Sequence, residues 1–179
     1  MTVTIEPAPV PAAPLAALKA YLAIRLDEED AALTGLLHAA SEAAERYLGQ
    51  LLIARDVREV VGARREWQRL AIRPVSAITA VEGLPAEGAA FTLPVENYAV
   101  EIDGGGTGHV RVLNPGAAGR VRIGYTAGLA GDAEDVPEAI RHGVVRLAGE
   151  YHARREGLEA DPPASVTTLW RPWRRVRLA

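Results

Sequence analysis

Apolar residues recur at three- and four-residue spacing from Leu33 through Leu36, Leu37, Ala40, Ala44, Tyr47, Leu48 and Leu51. That is the buried stripe of an amphipathic helix about six turns long. Asp27 stands where an N-cap belongs, and Glu28, Glu29 and Asp30 would fill the first turn, favourably placed against the helix dipole. A helix is expected over 27–52, with Gly49 weakening its last turn. Upstream, Leu15, Leu18, Tyr21 and Leu22 fall on one face of a shorter helix over 14–24, opened by Pro14. Downstream, Ile140, Val144, Leu147, Ala148 and Tyr151 predict a third helix over 136–156. Asp135 is its expected cap, Pro137 lies in its first turn and Gly157 is its stop.

Between these helices the period changes to two. Val57 to Val61, Trp67 to Ile72 and the shorter Ile78 to Val81 read as strands. Further on, Tyr98, Val100 and Ile102, then Val110 and Val112, then Val121, Ile123 and Tyr125 alternate with polar or small residues. Asp103-Gly-Gly-Gly-Thr-Gly108 and Asn114-Pro-Gly116 between them are turn chemistry. The pattern predicts an α+β domain over 14–156: two N-terminal helices and a C-terminal one packed on an antiparallel β meander, the β module spanning 53–128. Alternate prolines at 7, 9 and 11 predict a flexible extended arm over 1–13, and Pro162-Pro163 set off a tail over 157–179.

That tail is the least ordinary stretch. Trp170-Arg-Pro-Trp-Arg-Arg-Val-Arg177 carries two of the three tryptophans in the chain. Trp and Arg dominate protein interfaces and are costly to leave half-used in water. Three readings stay open on composition: an element folded back on the protein's own core, a docking tail that inserts into a partner, or a phosphate-binding basic segment. The four arginines of 171–177 leave the remainder at −7 against an overall charge of −3. Such a field is not that of a general nucleic-acid binder.

Chemistry is sparse. With no cysteine, thiol catalysis, disulfides and Cys-ligated metals are excluded. His142 and His152 lie ten residues apart on one predicted helix, so they project from different faces, and no zinc spacing or His-Glu-x-x-His occurs. The glycines at 104–106 lack the Gly-Lys-Ser/Thr ending of a phosphate loop and precede a strand. None of Ser41, Ser76 and Ser165 sits in a nucleophile elbow. No catalytic, metal-binding or cofactor-binding residue is expected, and the protein is not expected to be an enzyme. Neither a signal peptide nor an apolar run of about 20 residues is present, so no membrane association is expected.

Three groups of segments, in this order, resemble a known family. They are Leu15-Ala-Ala-Leu-Lys-Ala-Tyr-Leu22 with the long helix ending Glu45-Arg-Tyr-Leu-Gly-Gln-Leu-Leu52; Ile72-Arg-Pro-Val-Ser-Ala-Ile-Thr79 with Asn97-Tyr98; and Val121-Arg-Ile-Gly-Tyr-Thr-Ala-Gly128 with Val136-Pro-Glu-Ala-Ile-Arg141 and Glu150-Tyr-His-Ala-Arg-Arg-Glu156. From about Pro14 to Leu178 the chain is similar to the head–tail connector (adaptor) family of long-tailed phages and phage-like gene transfer agents. The resemblance implies a structural protein of the particle neck, present in host cytoplasm before assembly. It would form a ring, usually of twelve copies, under the portal protein, extend the channel through which double-stranded DNA passes without sequence-specific binding, and hold a stopper or other neck protein. It also implies portal contacts by Trp170, Arg171, Trp173, Arg174, Arg175 and Arg177, although Pro162-Pro-Ala-Ser-Val166 matches the family's tail lead-in only loosely. The alternative from another class is a DNA-binding accessory protein that uses the basic tail.

Overall fold

The computed structural model describes residues 2–154 and 162–175. Its elements run β1 (Thr2–Ile5), α1 (Leu15–Leu22), α2 (Asp30–Leu48), β2 (Arg55–Gly62), β3 (Gln68–Arg69), β4 (Val75–Pro85), β5 (Phe91–Thr92), β6 (Tyr98–Ile102), β7 (Gly108–Val112), β8 (Ala118–Ala127), α3 (Glu138–Ala153) and α4 (Ala164–Trp170). The α+β class is as the periodicities predict. Where one domain over 14–156 was expected, the chain divides into two compact units interleaved in sequence. One comprises Met1–Pro7 and Ala54–Leu129, the other Ala8–Ile53 and Ala130–Ala179.

The first unit holds every strand among the described residues. A five-stranded sheet has the order β1-β2-β8-β4-β5 and a three-stranded sheet the order β3-β7-β6, with all pairings antiparallel. The order is not that of a simple meander, because β8 lies between β2 and β4. Alternation decides which side is buried: Val121, Ile123, Tyr125 and Ala127 of β8 point inward while Arg120 and Arg122 do not. The first residues are no free arm. Thr2–Ile5 pair with Val57–Val60, since the proline run that would keep the chain out of a sheet begins only at Pro7. The strand expected over 67–72 shrinks to Gln68–Arg69, and that expected over 78–81 lengthens to Val75–Pro85 by accommodating register shifts.

One buried polar group organises this unit. Glu59, in phase with Val57 and Val61 on the inward face of β2, is fully enclosed. Its Oε2 accepts the Tyr125 hydroxyl at 2.8 Å and the Ala71 N–H at 2.9 Å. Burial, and then the adjacent Glu59 carboxylate, push the Tyr125 phenol far above its usual range, so it stays a proton donor. The pair fastens the segment after β3 to the five-stranded sheet.

The second unit is helical. Leu33, Leu37, Ala40, Ala44 and Leu48 of α2 and Ile140, Val144, Leu147 and Ala148 of α3 form its core with Leu18 of α1 and Val166 of α4. Buried Ala12 is held by its N–H bonding Ser41 Oγ at 2.9 Å, so the lead into α1 is also fixed. Tyr21 lies where a side chain on Gly149 would project, with Cε1 2.6 Å from that position, so the missing Cβ lets α1 approach α3.

Both expected caps are displaced. Glu29, not Asp27, precedes α2, and the Asp27 carboxylate instead receives Lys19 Nζ at 2.5 Å. Pro137, not Asp135, precedes α3, its carbonyl accepting the N–H groups of Ile140 and Arg141. Gly49 does more than weaken α2: at φ 68° it is the left-handed residue that ends the helix, its N–H bonding the Glu45 carbonyl. Gly157, the expected stop of α3, and the first part of the expected tail lie outside the described residues.

Candidate docking surface at the C-terminal tail

The residues after Pro162-Pro163 fold into a helix that the sequence pattern did not reveal. Pro163 is the residue before α4, its carbonyl accepting the N–H groups of Val166 and Thr167. At seven residues α4 is too short to persist alone, so packing must hold it. Its last residue supplies that packing.

Trp170 is the largest fully buried side chain described. Its Nε1–H donates to the Ile140 carbonyl at 3.1 Å, and its ring sits 5.8 Å from that of Tyr47 on α2, tilted by 48°. The indole occupies the space left by Gly143: a Cβ there would stand 2.8 Å from Trp170 Cε2. So the helical core itself binds Trp170, which is the folded-back reading, and that indole is not free to reach a partner.

The chain then turns outward. A 3-10 turn over Arg171–Trp173, closed by Arg174 N–H on the Arg171 carbonyl, places Arg171, Pro172, Trp173, Arg174 and Arg175 at the surface. Three contacts seat this turn on the end of α2. Gln50 Nε2 donates to the Trp173 carbonyl at 3.2 Å, the Arg175 N–H donates to the Leu48 carbonyl at 2.9 Å, and the Arg174 guanidinium lies 5.1 Å over the Tyr47 ring. The Leu48 carbonyl is one of those left without an intrahelical partner at a helix C-terminus, so the tail completes the helix it rests on. Trp173 keeps 38% of its surface exposed. The structure therefore brings together Arg171, Trp173, Arg174 and Arg175, separates Trp170 from them as an internal anchor, and leaves Arg177 outside the described residues.

The seat itself, Tyr47, Gln50, Ile140 and Gly143, is not evident from sequence. Only Gly143 carries a signal, as a glycine within the apolar stripe of α3, where alanine would be the better helix former. Among the described residues no group of three or more His, Asp or Glu could hold a metal ion, and no helix is long and apolar enough to cross a membrane. The surface offers cations, an indole face and hydrogen-bond donors, which is recognition chemistry and not bond-making chemistry.

Residues 13–79 match the family model of phage gp6-like head–tail connector proteins. Among solved structures, the fold is similar to a chain of the neck of an empty GTA particle computed with C6 symmetry. The TM-score is 0.80 at 28% identity, covering 100% of this chain and 98% of that one. It is likewise similar to a chain of the virion of a native gene transfer agent (GTA) particle, with TM-score 0.74 and 29% identity, and to one of a native GTA neck computed with C12 symmetry, with TM-score 0.72 and 29% identity. Both cover 100% of this chain and 98% of theirs. No curated protein matches the sequence significantly.

Proposed function

We propose, from the premise that this chain belongs to the phage head–tail connector family, that it is a structural neck component of a gene-transfer or phage particle. In this reading its copies form a closed ring, twelve in number, beneath the portal protein. The ring continues the passage for double-stranded DNA and presents its far side to a stopper or other neck protein. The observation that supports this best is the end-to-end likeness to GTA neck chains.

The tail supplies the portal contact, with a division of labour. Trp170 fixes the tail to its own helices, and Arg171, Trp173, Arg174 and Arg175 form the presented surface. Arginine suits carboxylates because its planar fork makes two parallel hydrogen bonds, and an exposed indole adds apolar area with few rotors to freeze. A surface already seated on α2 binds with less ordering cost than a loose tail.

Light scattering on the purified protein, alone and mixed with the portal encoded near it, tests the proposal. The informative truncation removes 171–179 and keeps Trp170, so that the helical core stays intact. Stoichiometric rings on portal with the full chain, and none with the truncated one, are expected. A truncated chain that still joins portal overturns the tail's role. A full chain indifferent to portal, but binding DNA with steep salt dependence lost in Arg171→Ala/Arg174→Ala, overturns the connector reading in favour of a DNA-binding accessory protein.

A further inference from the structure

The three-stranded sheet of the first unit stops before its apolar face does. Tyr98, Val100 and Ile102 of β6 lie directly beside Val112, Val110 and Gly108 of β7, on the same face. On β7 that face is fully covered: Val110 and Val112 are buried, and Leu70 Cδ1 fills the space beside Gly108, 2.6 Å from where a Cβ would stand. One strand further out the cover fails, and Val100 and Ile102 keep 40% and 39% of their surface exposed.

The backbone of β6 is open on the same side. Leu113 N–H reaches the Asn97 carbonyl at 2.7 Å and Asp103 N–H the Thr107 carbonyl at 3.0 Å. Bonded residues alternate along an antiparallel ladder, so Ala99 and Glu101 face β7, while Tyr98, Val100 and Ile102 turn their N–H and C=O groups outward. No strand among the described residues pairs with them. A long, flat, half-apolar edge is an aggregation hazard unless something is built to cover it.

The described residues include a complementary edge. Of the four strands that end the two sheets among the described residues, β3 and β5 have two residues each, leaving β6 and β1 as the terminal strands long enough to pair. Glu6 N–H bonds the Asp56 carbonyl, so by the same alternation Val3 and Ile5 turn their backbone groups away from β2, and Ile5 is 38% exposed. β1 is the first strand of the five-stranded sheet, whereas β6 runs close to β4, three places along it. Two unlike open edges at separated ends of one unit are what a head-to-tail ring requires.

We infer that β1 of a second copy adds to the edge of β6, so that neighbouring subunits are joined strand to strand. The inference rests on the ring proposed above and names its subunit interface.

The chain has no cysteine, so engineered thiols report cleanly. Val100→Cys is combined with Val3→Cys or Ile5→Cys, and rings assembled on portal are oxidised and run under denaturing conditions. A ladder of covalent multimers reaching the ring number is expected from a double variant, and none from any single variant. Rings that form normally yet give no ladder from either double variant overturn the strand pairing while leaving the ring itself standing. Absence of rings from the unmodified chain overturns the ring and the pairing together. If the double variants do not assemble, Val100→Lys decides. A folded subunit, by circular dichroism, with its assembled fraction reduced at least tenfold supports the pairing, and undiminished assembly overturns it.

Discussion

The indole of Trp170 and the bare α-carbon of Gly143 are complementary: one fills the space that the other leaves on α3, and the Trp170 N–H spans to the Ile140 carbonyl. Gly143→Ala should therefore destabilise the protein. Alanine gains roughly 1 kcal/mol over glycine in a helix interior, but overpacking against a fully buried ring costs about 1–3 kcal/mol, and this ring has no room to yield. Trp170→Ala should cost more, about 3–5 kcal/mol. Denaturant unfolding of both variants checks the order; a more stable Gly143→Ala protein would contradict it.

Arg171→Ala, Trp173→Ala and Arg174→Ala should leave stability nearly unchanged. Each side chain is at the surface, so the unfolding free energy should change by no more than about 0.5 kcal/mol, or about 1 kcal/mol where Arg174 leaves the Tyr47 face. Their effect should appear in portal attachment, with Trp173→Ala the most damaging. Paired stability and portal-binding measurements separate them from Trp170→Ala, which loses both.

Tyr125→Phe removes one of two donors to the enclosed Glu59 carboxylate. The cost should be about 1–3 kcal/mol, because a buried acceptor is left short of a partner. Urea titration measures it, and no loss would show that the Ala71 N–H suffices.

Lys19 gives a pH signature. Hydrogen bonds to Asp27 and then Asp30 raise the Lys19 ammonium above its ordinary 10.5, and the bond from Lys19 lowers Asp27 below 3.8. The raised group stabilises the fold fully below 10.5 and loses that contribution as pH climbs through its folded value. The depressed carboxylate contributes fully above 3.8 and loses its contribution as pH falls through its folded value. The difference between wild type and Lys19→Met should be widest between these limits and vanish beyond both. Asp27 is 87% exposed, so the effect should be small and should shrink with added salt. Unfolding midpoints across pH at low and high salt test this.

Repeating patterns made most elements legible. The alternating apolar residues of 110–112 and 121–125 and the stripe of 33–48 gave strands and helices because each has one dry side. What depended on a single contact was hidden. β1 is recognisable only against its partner β2, and α4 only against the indole that anchors it. Glu59 left a trace, a charged residue in phase with Val57 and Val61, but nothing local named Tyr125 or Ala71 as the groups awaiting it. Acidic residues at 27–30 looked like a cap because composition favoured it; the fold instead turned Asp27 toward Lys19. For the tail, its Trp and Arg content marked it as an unusual segment without showing that its two tryptophans would have different surroundings.

The interleaving of the two units bears on how the molecule is made. The polypeptide passes from one unit to the other at 7/8, 53/54 and 129/130. On the ribosome, β1 is synthesised before β2 and sits idle until β2 emerges, and α1 and α2 wait through the entire β-rich insertion for α3. Neither unit can be cut out as one continuous fragment, so a nascent chain has no finished half to release early. Only after synthesis has passed Trp170 can the helical unit close, so its core stays open until the indole that fills the space beside Gly143 has been made.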